Sequence, residues 1–154
     1  MPKLFSYYTG NLEEFIDIAL TTKDCLLKRI ISTVSPKLID DLREMNLIID
    51  ESYRHTLDNN AIRHITRIHG AQDELLRGQI PISKHDIMLI PTVITSYDSI
   101  NLERNKRNQA VIVYSKTIED GISIYVEELR LGRHELAACT MYKRKKENSP
   151  TQID

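Results

Sequence analysis

The sequence has few of the cysteines that cross-link small secreted domains, and it lacks the long apolar runs that span membranes. It has two cysteines, Cys25 and Cys139, no tryptophan, five glycines and five prolines among 154 residues. Two cysteines so far apart exclude a disulfide framework and a cysteine-rich zinc site. No apolar run approaches the ~20 residues that a membrane-spanning helix needs, and the start, MPKLFSYYTG, lacks the apolar stretch of a signal peptide. We therefore expect a cytoplasmic protein that contacts no membrane.

Most enzyme classes with a recognisable local motif are also excluded. The sequence contains no HExxH, no GxSxG, no phosphate-binding P-loop and no dinucleotide fingerprint. His64 and His69 are five residues apart, about 140° around an ideal helix, so a metal ion shared between them is disfavoured. We expect neither a metal nor another cofactor.

The net charge of −1 conceals an uneven distribution along the chain. Residues 1–60 carry seven basic and ten acidic side chains, whereas residues 103–146 carry ten basic and six acidic ones. A cationic C-terminal third on a nearly neutral protein is compatible with a local site for an anion or a nucleic acid.

The first half of the chain has helical periodicity. Apolar residues near a 3.6-residue period predict helices over about 12–20, 24–33 and 36–45, with Asn11 and Ser35 as N-caps. Residues 46–49 could form a short strand. A further helix is predicted over 57–69, between Asp58 as N-cap and Gly70 at its C-terminal end.

The C-terminal third has the alternating pattern of β-strands. Residues 109–116, 121–130 and 135–143 are separated by short turns and predict an antiparallel meander, with the 57–69 helix packed against the sheet. Before them, a short helix is predicted at 86–89 with Asp86 as its N-cap, and SINLERNKRNQ (99–109) is predicted to be a loop. Helices followed by strands indicate an α+β fold.

Two groups of residues could carry chemistry. His64 and His69 share the 57–69 helix with Arg63 and Arg67, and cationic neighbours suit phosphate binding. For His69, stabilisation of an imidazolium by the helix dipole would alone be a sufficient explanation. We therefore expect His64, whose mid-helix position can project rigidly into a cleft, to be the catalytic histidine ahead of His69.

The last strand carries the second group. A period of two places Thr140 and Tyr142 on one face with Leu136 and Ala138. A face that turns from apolar to polar could line a cleft, although Thr and Tyr are also good strand formers. Cys139, on the other face, is better explained as a small core residue than as a nucleophile.

Several segments together resemble the barnase–EndoU–colicin–RelE superfamily of ribonucleases, especially the versions carried by phages and by bacterial polymorphic toxins. The similar pieces are AIRHITRIHG, HDIMLIPTVITSYDSI, QAVIVYSK, ISIYVEELR and CTMYKRK, which occur in the family's order. They cover about residues 46–146. Residues 1–45 would then be a helical N-terminal extension and residues 147–154 a flexible tail.

The resemblance implies a fold and a site. It implies a curved antiparallel sheet with a helix packed on one face and an active site in the sheet's cleft. The helix histidine of the family would fall on His64 or His69, and its last-strand pair on Thr140 and Tyr142. Charge, rather than a motif of the family, adds the basic residues near the cleft as ligands for RNA phosphates, namely Arg63, Arg67, Lys143 and Arg144.

The function so implied is metal-independent cleavage of RNA, with tRNA as one candidate substrate. The 2′-OH would attack the adjacent phosphorus, with histidine, Thr and Tyr side chains assisting. A cognate immunity or antitoxin protein is an expected partner. The alternatives are a non-catalytic RNA- or protein-binding module of a mobile element, and a partner-binding protein whose working surface is residues 1–45.

Overall fold

A computed structural model describes residues 5–22 and 26–146, and these form five α-helices and eight strands. The predicted tail at 147–154 and Cys25 lie outside the described residues. The helices are α1 Leu12–Thr21, α2 Pro36–Glu44, α3 Asn59–His69, α4 Lys84–Met88 and α5 Ile90–Ser96. The strands are β1 Ser6–Tyr7, β2 Leu27–Thr33, β3 Arg54–Asp58, β4 Gln79–Ile80, β5 Ser99–Arg104, β6 Ala110–Ile118, β7 Gly121–Arg130 and β8 Glu135–Arg144.

The strands form one mixed sheet in the order β1-β2-β3-β8-β7-β6-β5, with β4 paired to β8. The predicted meander of β6, β7 and β8 is confirmed, and its neighbours are antiparallel. The sheet as a whole is not antiparallel, however, because β3 runs parallel to β8 and β1 parallel to β2. The fold is therefore mixed α and β around a large mixed sheet.

The main core lies between the helices and one face of this sheet. Phe15 of α1, Ile62 of α3 and Val93 of α5 are fully buried and belong to one hydrophobic cluster with Tyr125 and Leu136. The predicted packing of the 57–69 helix against the sheet is confirmed, since α3 contacts β8. Its start is set by Asp58, whose side chain accepts from the Ala61 amide at 2.8 Å.

Four local predictions are wrong. Residues 27–33 form β2 rather than helix, because the β-branched run that ends in Thr33 suits a strand paired with β3. Residues 46–49 form a turn and loop rather than a strand, and residues 99–104 form β5 rather than a loop. Asp86 is not the N-cap of α4. Ser83 takes that position, and Asp86 is the third residue of a capping box with it.

A β-bulge also changes which residues of β8 share a face. Val126 pairs with Thr140 but Glu127 pairs with Ala138, so Cys139 is an extra residue. A bulge shifts the alternation of every residue beyond it. Leu136 and Ala138 therefore share the core-facing side with Met141, and the prediction that they share a face with Thr140 and Tyr142 is wrong.

Candidate active site at the edge of β8

One edge of β8 is interrupted where α3 lies beside it. β3 pairs with β8 as far as Ala137, and β4 pairs with it only at Lys143 and Arg144. Between them, residues 138–142 have no strand partner on the side away from β7 within the described parts of the chain. We call these five residues the edge gap. Because α3 starts directly after β3, which is the neighbour of β8, the helix lies beside this gap and contacts β8.

His69, the last residue of α3, is held in place by a buried carboxylate. Its Nδ1 donates to Glu74 Oε2 at 3.1 Å, and the His69 side chain is 16% exposed whereas that of Glu74 is 0% exposed. Glu74 lies in the 3₁₀ helix Gln72–Arg77, where Arg77 donates to its other oxygen at 2.8 Å. With Nδ1 engaged, Nε2 is the ring nitrogen left for proton exchange.

Tyr142 and His64 contact the same imidazole. The rings of His69 and Tyr142 are 5.6 Å apart between centroids, and those of His64 and His69 are 6.2 Å apart, edge to face. The fold therefore brings together His64, His69 and Tyr142 from two different elements. The two histidine rings lie close together despite the 140° that separates their positions on an ideal helix. His69 is the last residue of α3, and its ring packs on Tyr142 of β8.

His64 differs from His69 in its electrostatic surroundings. Partial burial, followed by the nearby His69 and Arg67, lowers the pKa of the His64 imidazole. His64 is therefore biased toward the neutral form at pH 7, in which an imidazole can accept a proton.

The exposed side of α3 next to His64 is cationic. A hollow of about 370 Å³ is lined by Asn60, Arg63, His64 and Arg67, which recur at the spacing of one helix face. Two guanidinium groups beside an imidazole suit a phosphate group.

Thr140 lies in the edge gap, but its hydroxyl is enclosed. Thr140 Oγ1 is buried and has no hydrogen-bond partner in the described structure. A phosphate oxygen could reach it only if its neighbours moved, so the structure places Thr140 beside the site rather than on its surface.

Lys143 is likewise buried, with a 5% exposed side chain. Its ammonium group donates to both carboxylate oxygens of Asp86 at 2.9 Å and to Asp120 at 2.9 Å. Although burial opposes the charge, the hydrogen bonds with Asp86 and Asp120 raise the pKa of Lys143 overall. Two carboxylates thus compensate its charge. Arg144, by contrast, is exposed and lines a separate hollow with Lys145 and Lys146.

A second polar group, centred on His134, lies at the other end of β8. It was not predicted from the sequence. The Ser52 hydroxyl is hydrogen-bonded to the Asp50 carboxylate and lies 2.6 Å from His134 Nδ1. Tyr53 stacks on the His134 ring at 4.8 Å. His134 has a left-handed backbone, with φ of 52°, in the turn before β8. A short polar run before a strand was the only sequence signal for this group.

The remaining histidines lie elsewhere. His55 is a core residue, with Nδ1 2.7 Å from Glu127 Oε2, and Tyr114 donates to the same carboxylate at 2.6 Å. His85 is exposed on α4. Burial, the largest influence, raises the pKa of the Cys139 thiol to about 11, so the reactive thiolate is disfavoured there.

Neither a metal cluster nor a membrane helix is found in the described ranges. Over residues 5–22 and 26–146, no three His, Cys, Asp or Glu side chains are grouped so that they could hold a metal ion. No helix in these ranges is both long and apolar enough to cross a bilayer.

A histidine bound to a carboxylate, next to a tyrosine and a cationic hollow, is an arrangement suited to acid–base catalysis on a phosphate ester. The family comparison agrees with this class. Residues 32–149 match the family described as phage-Barnase-EndoU-ColicinE5/D-RelE like nuclease3. The match covers most of the chain, so the protein belongs to this nuclease family, as the resemblance predicted. No curated protein and no solved structure matches the chain.

Proposed function

We propose that this protein is a metal-independent endoribonuclease of the phage or toxin type, and that His69 is its central acid–base group. The observation that carries the proposal is the His69–Glu74 pair packed against Tyr142 at the edge gap. A buried carboxylate on Nδ1 fixes the tautomer and the orientation of the ring, so that Nε2 faces the substrate and can exchange a proton with it.

The proposed reaction is an intramolecular transesterification. The 2′-oxygen forms a bond to the adjacent phosphorus while the bond from phosphorus to the 5′-oxygen breaks, leaving a 2′,3′-cyclic phosphate and a 5′-OH. His64, whose pKa is lowered, accepts the 2′ proton, and His69 donates a proton to the departing 5′-oxygen. The two histidines exchange protonation states and are reset by solvent.

The other residues hold the phosphate. Tyr142 donates a hydrogen bond to a non-bridging oxygen, and Arg63 and Arg67 stabilise the negative charge that grows in the transition state. Thr140 makes no phosphate contact in this mechanism, because its hydroxyl is enclosed. Lys143 does not contact the phosphate in this mechanism, because its ammonium group is bound by Asp86 and Asp120.

The test is cleavage of a defined RNA oligonucleotide in EDTA, together with its all-DNA counterpart and a version carrying 2′-O-methyl at every ribose. We expect cleavage of the RNA alone, with products ending in 2′,3′-cyclic phosphate and 5′-OH. Cleavage of the DNA or of the methylated RNA would contradict the mechanism, because neither has a free 2′-OH.

The alternative function is a non-catalytic RNA- or protein-binding module of a mobile element. Binding of the RNA with no turnover by the folded protein would favour it. Location in the cytoplasm, tRNA as substrate and a cognate immunity or antitoxin protein belong to the same proposal. A ribonuclease made in the cytoplasm would need an inhibitor or a narrow specificity.

A further inference from the structure

An open cleft lies at the opposite end of β8 from the edge gap. It measures about 830 Å³, within the usual range for ligand sites. The turn between β5 and β6 (105–109) and the turn between β7 and β8 (131–134) both reach this end of the sheet. Four arginines line the cavity, which we call the arginine cleft: Arg104, Arg107, Arg130 and Arg133.

The charge of the arginine cleft is mostly uncompensated. Its single lining carboxylate is Glu128, whose side chain is 8% exposed and lies 3.4 Å from Arg107 Nη2 and 3.6 Å from Arg130 Nε. One carboxylate against four guanidinium groups leaves a local charge of about +3. The side chain of Arg107 is 74% exposed, so its guanidinium is open to a ligand.

The lining combines these cations with apolar surface. Arg104 donates to the Asn108 carbonyl at 3.2 Å, which fixes the direction of its head group. Leu131 is 63% exposed at the rim, and Ala110 and Leu129 contribute further apolar surface. Guanidinium forks bind phosphate oxygens in pairs, while apolar side chains can contact ribose and bases.

We propose that the arginine cleft binds the phosphate backbone of single-stranded RNA at a distance from the cleavage site. The inference rests on the proposed ribonuclease function and extends it to substrate positioning. Arg133, which lines the cleft, precedes the first residue of β8 by two positions, and from Glu135 to Tyr142 is seven further steps along β8, about 23 Å at the rise of a strand. One RNA strand lying along β8 would therefore contact both ends, and very short substrates would contact only one.

The test compares two triple variants of equal charge change. The first is Arg104→Ala/Arg107→Ala/Arg133→Ala, which keeps Arg130 beside the buried Glu128. The control replaces three cations in surface ion pairs outside both sites, Arg43→Ala/Lys84→Ala/Lys116→Ala. Melting temperatures establish that both are folded.

For an RNA of about 15 nucleotides, the cleft variant should bind about 10- to 100-fold more weakly at low salt. Its slope of log affinity against log salt should be smaller by two to three, about one for each lost phosphate contact. The control should stay within about threefold of the parent protein. A dinucleotide substrate should be cleaved equally by all three proteins.

Unchanged affinity and salt slope in the cleft variant would overturn the proposal. So would polyglutamate displacing the RNA from the parent protein more effectively than a second RNA does, which would indicate an acidic protein partner. Absence of all cleavage would refute the proposed function but not RNA binding by the arginine cleft, because the binding measurement needs no turnover.

Discussion

The two ends of β8 each present a histidine, and the two differ in what holds them. At the C-terminal end, His69 is largely buried and donates directly to a fully buried carboxylate. At the N-terminal end, His134 is exposed in a turn, and its Nδ1 is connected to Asp50 only through the Ser52 hydroxyl. The electrostatic interaction of a carboxylate with a neighbouring side chain is stronger at short distance and where water is excluded. The hydrogen-bond partner and its burial, rather than the histidine itself, therefore distinguish a candidate acid–base group.

In stability, by contrast, the two ends are alike. Each end contains a lysine that is almost completely buried and paired with a carboxylate. Lys28 donates to Glu135 at the start of β8, at 2.9 and 3.1 Å, and Thr56 donates to the same carboxylate. Lys143 donates to Asp86 at the end. Removing one partner of a buried pair leaves an uncompensated charge, which is strongly destabilising.

The largest expected effect is therefore the same at both ends. Lys28→Met and Lys143→Met should each lower the free energy of unfolding by about 3–5 kcal/mol, as measured by urea unfolding. Lys145→Met, at an exposed position, is the control and should change it by less than about 0.5 kcal/mol. A loss of less than about 1 kcal/mol at either buried lysine would show that its ion pair does not hold that end of β8.

Glu74→Gln should separate the two ends in activity. The amide keeps the shape of the carboxylate but removes its charge, so we expect RNA cleavage to fall about a hundredfold. Ser52→Ala, which cuts the relay to His134, should change cleavage by less than about threefold. Full activity in Glu74→Gln would refute the role given to Glu74.

Tyr142→Phe tests the third member of the cluster. Loss of one hydrogen bond to a charged phosphate should reduce cleavage about 10- to 100-fold, with little change in melting temperature because the ring still packs on His69. Tyr53→Phe, beside the other histidine, is the matched control. Equal rates for Tyr142→Phe and the parent protein would exclude a phosphate contact by the Tyr142 hydroxyl.

The smallest effect concerns pH and stability. Since the pKa of His64 is lowered in the folded protein, the unfolded chain binds a proton there more readily. The stabilising effect of neutral His64 is present above its ordinary pKa of about 6.5 and is lost as the pH falls below it. Between pH 7.5 and 5.5, His64→Asn should therefore lose less stability than the parent protein. A steeper loss in the variant would mean that the sign of the shift is wrong.

Local patterns predicted much of this fold. The alternation in 109–143 predicted three strands, and Asp58 and Gly70 bounded α3 correctly, because caps and alternation are properties of neighbouring residues. The segment 27–33 is wrongly predicted as helix because the spacing of its apolar residues also fits a helical period. Its pairing with β3 decides in favour of a strand.

The candidate site was predicted only in part. The sequence predicts His64, His69 and Tyr142 as site residues, and their roles stay a prediction. The bulge at Cys139 reverses the expected face of Thr140 and Tyr142. Glu74 gave no signal, because its contact with His69 depends on the 3₁₀ helix after α3. Lys143 and Asp86 are 57 residues apart, so no local pattern could reveal that Lys143 is already paired.

The most direct test of the central claim is the cleavage rate of one RNA oligonucleotide by His69→Asn and His134→Asn, measured in EDTA at equal folded concentration. We expect a loss of about 10²- to 10⁴-fold for His69→Asn and a rate within about threefold of the parent protein for His134→Asn. Full activity in His69→Asn together with a loss in His134→Asn would contradict this expectation and would place the acid–base group at the other end of β8.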